Sequence, residues 1–190
     1  MEKKRKIILA SRSPRRQALL RQIGFDLEVI ESGVDEDGYE KSSPVDHVLV
    51  LSRKKAEAVK SKGVRGIIVG ADTIVVYNEI LLGKPKDKND AVSMLTLLSG
   101  HTHKVYTGFT ILDTESDRTL SDYEVTKVTF RNLSHQEILD YVESGSPMDK
   151  AGAYGIQDDY GAVFVERIEG CFYNVVGFPL TKFYLAIQKF

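Results

Sequence analysis

Two arginines at a helix start, a carboxylate in an apolar strand and two oddly placed lysines are the residues here that could do chemistry. Ile7-Ile8-Leu9-Ala10 is a short apolar strand that runs into Ser11-Arg12-Ser13-Pro14-Arg15-Arg16. Ser13 is a good N-cap, and Pro14 suits the first helical position, where its missing N–H loses no partner. The apolar positions Ala18, Leu19, Leu20 and Ile23 follow, and Gly24 can close the helix in the left-handed conformation. Arg15 and Arg16 then fall in the first turn, where the macrodipole is positive and carboxylates are preferred. Two guanidiniums beside backbone N–H groups repel one another until an anion arrives, and phosphate is the natural candidate. Taken alone, the segment reads equally well as a solvated basic helix start.

Asp72 stands in Ile67-Ile68-Val69-Gly70-Ala71-Asp72-Thr73-Ile74-Val75-Val76, the most apolar strand of the chain. A carboxylate there is costly unless a cation or hydrogen bonds hold it. Gly70 and Ala71 clear side-chain bulk so that another group can approach. A metal ligand or general base is favoured over a structural aspartate at a bulge. Lys55 falls in the middle of the helical stripe Val48, Leu51 and Val59. It either snorkels to the rim or carries its ammonium into a cleft between layers. Lys84, in Leu82-Gly83-Lys84-Pro85, is held extended by the proline, and a hairpin through Asn78 brings it back along the strand of Asp72. Glu36, in Asp35-Glu36-Asp37, could join Asp72 in supplying oxygens to a magnesium-type ion that keeps positions for phosphate and water. His101 and His103 resemble a metal pair, but no third ligand follows at a recognisable spacing.

The elements that must position these groups alternate between strand and helix. The first strand and helix fill residues 6–24, and residues 25–31 alternate as a half-buried strand. Ser43-Pro44 opens a long helix to about Lys62, residues 66–77 form a central strand, and Ile80-Leu81-Leu82 returns from a turn. A helix covers about Lys88 to Leu98. Residues 103–112 and 122–130 are paired strands, and Ser134-His135-Gln136-Glu137 is a capping box for a helix ending before Gly145. Residues 147–160 read as a loop. Ala162 to Ile168 and Cys171 to Val176 read as a hairpin around Glu169-Gly170, and Pro179 starts the last helix. The fold class is therefore α/β with a mixed sheet in one domain spanning residues 1–190.

Composition narrows the function classes. The 190 residues suit one domain or two small lobes sharing a sheet, and 42% hydrophobic with 28% charged residues describes a globular protein. A net charge of −1 leaves no global field to draw the chain onto nucleic acid or an acidic membrane. One cysteine, Cys171, excludes an intrachain disulfide framework and fits a cytoplasmic location. No apolar run approaches the roughly 20 residues of a membrane span, and the segment after Lys3-Lys4-Arg5-Lys6 is too short for a signal peptide. The Gly-Lys-Ser/Thr phosphate loop, the dinucleotide glycine fingerprint, the serine-hydrolase elbow and a cysteine nucleophile in context are all missing. What remains is four cations, Arg15, Arg16, Lys55 and Lys84, with the carboxylates Asp72 and Glu36. With a dication they balance a polyphosphate, and a carboxylate oxygen can activate water.

Assembled in order, Ser11-Arg12-Ser13-Pro14-Arg15-Arg16, Arg53-Lys54-Lys55-Ala56-Glu57-Ala58-Val59, Gly70-Ala71-Asp72-Thr73, Gly83-Lys84-Pro85 and Met148 to Gln157 resemble the Maf family of nucleoside triphosphate pyrophosphatases. The resemblance implies an elongated mixed sheet flanked by helices, with two lobes and a central cleft, related to the inosine triphosphate pyrophosphatases. It implies hydrolysis of a nucleoside triphosphate to monophosphate and pyrophosphate with a divalent metal (Mg²⁺, Mn²⁺ or Co²⁺), and a homodimer. Asp72 matches the family's base, and Glu36, Lys55 and Lys84 its polar catalytic cluster; Glu36 and Asp72 are the expected metal ligands. Arg15, Thr73 and Gln157 match the branch acting on dTTP and UTP, in a house-cleaning role. Ser11, Arg15 and Arg16 are expected to hold the triphosphate. The residues after Gln157, Asp158-Asp159-Tyr160, depart from the family's glycine-containing pattern by one extra residue, which bears on base selectivity more than on catalysis. The rival reading is a nucleotide-binding regulator of septum formation without enzymatic activity.

Overall fold

The computed structural model describes residues 6–35, 43–157 and 160–190. Its strands are β1 (Lys6–Leu9), β2 (Asp26–Val29), β3 (Ile67–Tyr77), β4 (Ile80–Leu82), β5 (Thr102–Asp113), β6 (Thr119–Phe130) and β7 (Val165–Glu169). Its helices are α1 (Pro14–Gln22), α2 (Pro44–Lys60), α3 (Lys88–Leu98), α4 (His135–Glu143), α5 (Phe172–Val176) and α6 (Leu180–Ile187). The sheet runs β2-β1-β3-β5-β6-β7, with β4 paired to β3. β1 lies parallel to β2 and β3, whereas β3–β4 and β6–β7 are antiparallel, so the sheet is mixed as expected. The chain divides into two compact units built from interleaved stretches, and β3, β5 and β6 each pass from one unit to the other.

The first unit holds the described residues up to Thr73 together with Thr107–Glu124 and Gly177–Phe190. α2 starts as its sequence dictates: the Ser43 hydroxyl accepts the Asp46 N–H at 3.1 Å, and Pro44 takes the first position. Its buried face carries Val48, Leu51, Ser52, Lys55, Ala56 and Val59. That face approaches the sheet unusually closely. A Cβ added at Gly70 of β3 would lie 2.1 Å from the Ser52 carbonyl oxygen and 2.9 Å from the Ala56 nitrogen. One added at Gly108 of β5 would lie 2.5 Å from the Val48 carbonyl oxygen. Both glycines are there because only a missing side chain leaves room for helix backbone. Elsewhere in this unit Phe109 and Phe178 pack around Phe183 of α6, with ring centroids 5.7 and 4.9 Å from it. Each such fully buried ring contributes roughly 1.5–3 kcal/mol.

The second unit, Ile74–Tyr106 with Val125–Val176, has its own core. Leu95 and Leu98 of α3, Ile138 and Tyr141 of α4, and Val75, Phe130 and Phe164 are all buried in one cluster. α4 begins with the predicted capping box, the Ser134 side chain and the Glu137 carboxylate satisfying each other's backbone N–H. Gly152, at φ +70°, packs where a Cβ would meet the Val75 side chain at 2.9 Å. One expectation fails. Cys171 to Val176 is not a strand, because α5 occupies Phe172–Val176. Six residues of short apolar run carry no decisive period. The tertiary context decides: the Thr126 hydroxyl bonds both the N–H and the C=O of Cys171, and buried Asn174 donates its amide to the Val105 carbonyl at 3.0 Å. The preceding strand also starts later than expected, as residues 160–164 form a short 3₁₀ segment.

Two consequences can be measured. Gly70→Ala should destabilise the protein by about 3 kcal/mol or more, since backbone rather than a flexible side chain must yield; a urea midpoint close to wild type would contradict it. His103 is buried in the second unit, its Nε2 2.8 Å from the Tyr154 hydroxyl, and burial holds its pKa down to about 4 from 6.5. The unfolded chain therefore binds a proton between those values while the folded chain does not, so stability falls as pH falls through that window. The loss should reach about 3 kcal/mol at pH 4 and be absent from the pH dependence of His103→Gln.

Candidate active site

Parallel pairing of β1 and β3 sets one end of the site. Leu9 is in register with Val69, and the Ala10 N–H donates to the Val69 carbonyl at 2.8 Å. The chain leaving β1 thus arrives beside Gly70-Ala71-Asp72, at the carboxyl end of the parallel pair, where ligands of open α/β sheets bind. Ser13 caps α1 as predicted, its hydroxyl accepting the Arg16 N–H at 3.4 Å. Ser11 Oγ accepts the Ser13 N–H at 3.3 Å and Arg16 Nη1 at 3.2 Å. Arg16 also donates Nη1 to the Ala71 carbonyl at 3.0 Å, Nη2 to Thr73 Oγ1 at 2.9 Å and Nε to the Gly177 carbonyl at 2.9 Å. Arg15 lies half-buried in the same first turn. Ser11, Arg15, Arg16, Asp72, Thr73 and Lys55 therefore all belong to the first unit.

Strand alternation directs Asp72 to the same face of β3 as Gly70, which is the face α2 covers. Asp72 is 5% exposed, and Lys55 Nζ donates to its Oδ1 at 2.6 Å. The lysine choice left open by the sequence is thereby decided: its ammonium runs inward and the residue is 6% exposed. The aspartate is an ion-pair partner, not a backbone-bonded bulge residue. A third member of this group was missed. His47 is buried, and its Nε2 stands 3.8 Å from Asp72 Oδ2. The signal was present, because His47, Leu51 and Lys55 recur every four residues on one helix stripe.

The remaining expected site residues are distributed differently. Lys84 and Gln157 belong to the second unit. Lys84 is exposed just beyond β4, whose residue Leu82 pairs with Val75 in the hairpin foreseen through Asn78. Gln157 is half-buried. Glu36, Asp158 and Asp159 lie outside the described residues. His101 and His103 share no site: His101 is exposed against the Tyr77 ring at 5.2 Å, and His103 turns inward to Tyr154. Among the described residues no group of three or more His, Cys, Asp or Glu side chains could hold a metal ion. Asp72 alone fits one in another way, since a magnesium-type cation takes one or two protein carboxylates and completes its shell with phosphate oxygens and water. No helix among the described residues is long and apolar enough to cross a membrane.

Comparison with known proteins matches residues 6–190 to the family model described as Maf-like protein. A protein of Clostridium perfringens strain SM101 named dTTP/UTP pyrophosphatase is 48% identical, with 97% of each chain covered. One of the same name from Carboxydothermus hydrogenoformans is 48% identical over 97% of this chain and 98% of its own. A third, from Thermoanaerobacter sp. strain X514, is 49% identical over 97% and 96%. Among solved structures, the Staphylococcus aureus Ham1 protein aligns with a TM-score of 0.41 and 14% identity, over 66% of this chain and 71% of that one.

The buried pair makes a direct stability test. Lys55→Met leaves the buried Asp72 carboxylate without its ammonium and should cost about 3–5 kcal/mol in urea unfolding. Adding Asp72→Leu to that variant should recover most of the loss, because no charge is then left buried. A double variant no more stable than Lys55→Met alone would contradict the pairing.

Proposed function

The chain belongs to the Maf-like protein family, and from that membership together with its own site we propose that it hydrolyses dTTP and UTP to the monophosphate and pyrophosphate. The observation that carries this reading is the buried Lys55–Asp72 pair midway along β3, one residue from the carbonyl that Arg16 holds. A binding protein has no need of a buried carboxylate kept in one orientation. A hydrolase does.

In the proposed reaction a water oxygen forms a bond to the α-phosphorus while the bridge from that phosphorus to the β-phosphate breaks. Pyrophosphate leaves with the bridging oxygen. Asp72 orients this water through Oδ2 and accepts its proton, while Lys55 on Oδ1 fixes the carboxylate plane. Ser11 already accepts two hydrogen bonds, so its own O–H is available to donate to a phosphate oxygen. Arg15 in the first turn of α1 adds positive charge where the helix dipole already favours an anion. A divalent cation would be held by Asp72, with Glu36 as the second expected carboxylate, and would supply charge neutralisation on the phosphate chain. The family resemblance adds Lys84 as a further cation toward the phosphoryl oxygens, and Thr73 and Gln157 toward the base. A house-cleaning role, cytoplasmic location and homodimeric assembly are part of the same proposal.

The test is pyrophosphate release from a panel of nucleoside triphosphates with Mg²⁺, Mn²⁺ or Co²⁺. Release is expected from dTTP and UTP and lost on chelation. Asp72→Asn should lower it by about 10²- to 10⁴-fold with the fold retained by circular dichroism. No release from any nucleotide would favour the nucleotide-binding regulator instead, and near-normal turnover by Asp72→Asn would remove the assigned base.

A further inference from the structure

The ion pair engages only one oxygen of the Asp72 carboxylate. Oδ1 takes Lys55 Nζ at 2.6 Å, whereas among the described residues Oδ2 accepts no hydrogen bond. His47 Nε2 stands 3.8 Å from Oδ2, and both side chains are 7% exposed. We infer that His47 is a second contact to the attacking water, which lies against both its Nε2 and Asp72 Oδ2 and is thereby aimed at the α-phosphorus. This rests on the hydrolytic reading given above, with Asp72 as the base.

The distance carries the argument. At 3.8 Å two polar atoms are too far apart for a direct hydrogen bond, yet one water oxygen can lie about 2.8 Å from each. His47 and Lys55 share the buried face of α2, and they address opposite oxygens of one carboxylate. Leu51, between them on that face, is buried and apolar and offers a water nothing. A water in so enclosed a place needs at least two polar partners, and Oδ2 and Nε2 are two. With the ring proton on Nδ1, Nε2 presents a lone pair. The water then gives one hydrogen to Oδ2 and the other to Nε2, and its own lone pairs face away from both, toward the phosphoryl group. The bonds made and broken are those of the reaction above. Asp72 takes the first proton, the second stays on the oxygen that joins phosphorus, and His47 gains none. Two contacts remove rotational freedom that a single carboxylate contact leaves to the attacking atom.

Packing and water-holding rank substitutions in opposite order. Phenylalanine keeps the ring and loses the nitrogen, whereas glutamine loses the ring and keeps a polar group that accepts a water hydrogen. His47→Phe should lower kcat for dTTP about 10- to 100-fold with KM within about twofold, while His47→Gln stays within about fivefold of wild type. If circular dichroism shows the phenylalanine variant unfolded, His47→Leu, which removes the nitrogen in a smaller volume, carries the same expectation. In an Asp72→Asn background His47→Phe should cost no more than about twofold further, because the water has already lost its base. Mn²⁺ affinity, read by electron paramagnetic resonance of the free ion, should be unchanged in His47→Phe. Full kcat in His47→Phe, or a His47→Gln equally slow, would reduce the residue to packing and overturn the inference. So would an undiminished loss in the Asp72→Asn background, or a Mn²⁺ affinity weakened about tenfold, which would make His47 a metal ligand. A wild type that releases no pyrophosphate refutes the hydrolase itself, whereas an active wild type with an unaffected His47→Phe refutes only the water contact.

Discussion

The closeness of α2 to the sheet is the constraint on which the site depends. Gly70 and Gly108 have no side chain where the Ser52 and Val48 carbonyls lie, so the helix axis is set by backbone packed on backbone. That depth decides whether Lys55 meets Asp72. The two groups touch at 2.6 Å while both side chains are 7% exposed. A pair so far from water loses much of its hydration, and only good geometry offsets the loss. An alanine-sized spacer between helix and strand would lift the ammonium away from the carboxylate and leave two buried charges apart. The glycines therefore serve electrostatics rather than flexibility.

A second restraint acts from the other side of the strand. By alternation Asp72 faces α2 while Ala71 and Thr73 face away, toward the chain leaving β1. Parallel register puts Ser11 beside Ala71, and Arg16 joins them from the first turn of α1. The arginines at the positive end of that helix, which local rules disfavour, become intelligible once Arg16 is seen to donate to oxygens outside the helix. Its charge is matched by carbonyl and hydroxyl dipoles, and Arg15 keeps the role that the helix start suggests. Asp72 is thus held through its carboxylate by Lys55, and the Ala71 carbonyl before it takes both Arg16 at 3.0 Å and Lys55 at 3.5 Å.

Much of this was legible in the sequence, and the parts that were not share a cause. Ser13-Pro14, Ser43-Pro44 and the Ser134 capping box are local signals, and each opens the helix it forecast. The break in apolar pattern at Asp72 was visible, and Gly70 beside it correctly announced a close approach, although the approaching group was helix backbone. The buried lysine stripe gave the ion-pair partner but not its direction. His47 was passed over because a histidine among apolar positions has no polarity contrast as sharp as a lysine's. The partners of Arg16 lie as far along the chain as Gly177, and no spacing rule connects them. Residues 171–176 failed for the same reason. Their helix is set by Thr126 and Val105, far away in sequence.

The pairing of Lys55 with Asp72 bears on how the carboxylate could work. The ammonium on Oδ1 holds the carboxylate in one orientation. A triphosphate brings several negative charges to the same ammonium, and those charges compete with Asp72 for it. In the proposed reaction part of the lysine's field would then pass to the phosphoryl oxygens. Without substrate the pair keeps both charges neutralised in the buried setting the fold imposes. In the proposed reaction the same ammonium serves the resting protein and, once substrate is bound, the charge developing on phosphorus. That is a reason for the cation to be a lysine, whose single nitrogen can shift between neighbours, while Arg16, which donates to four acceptors on three stretches of chain, suits a rigid fork.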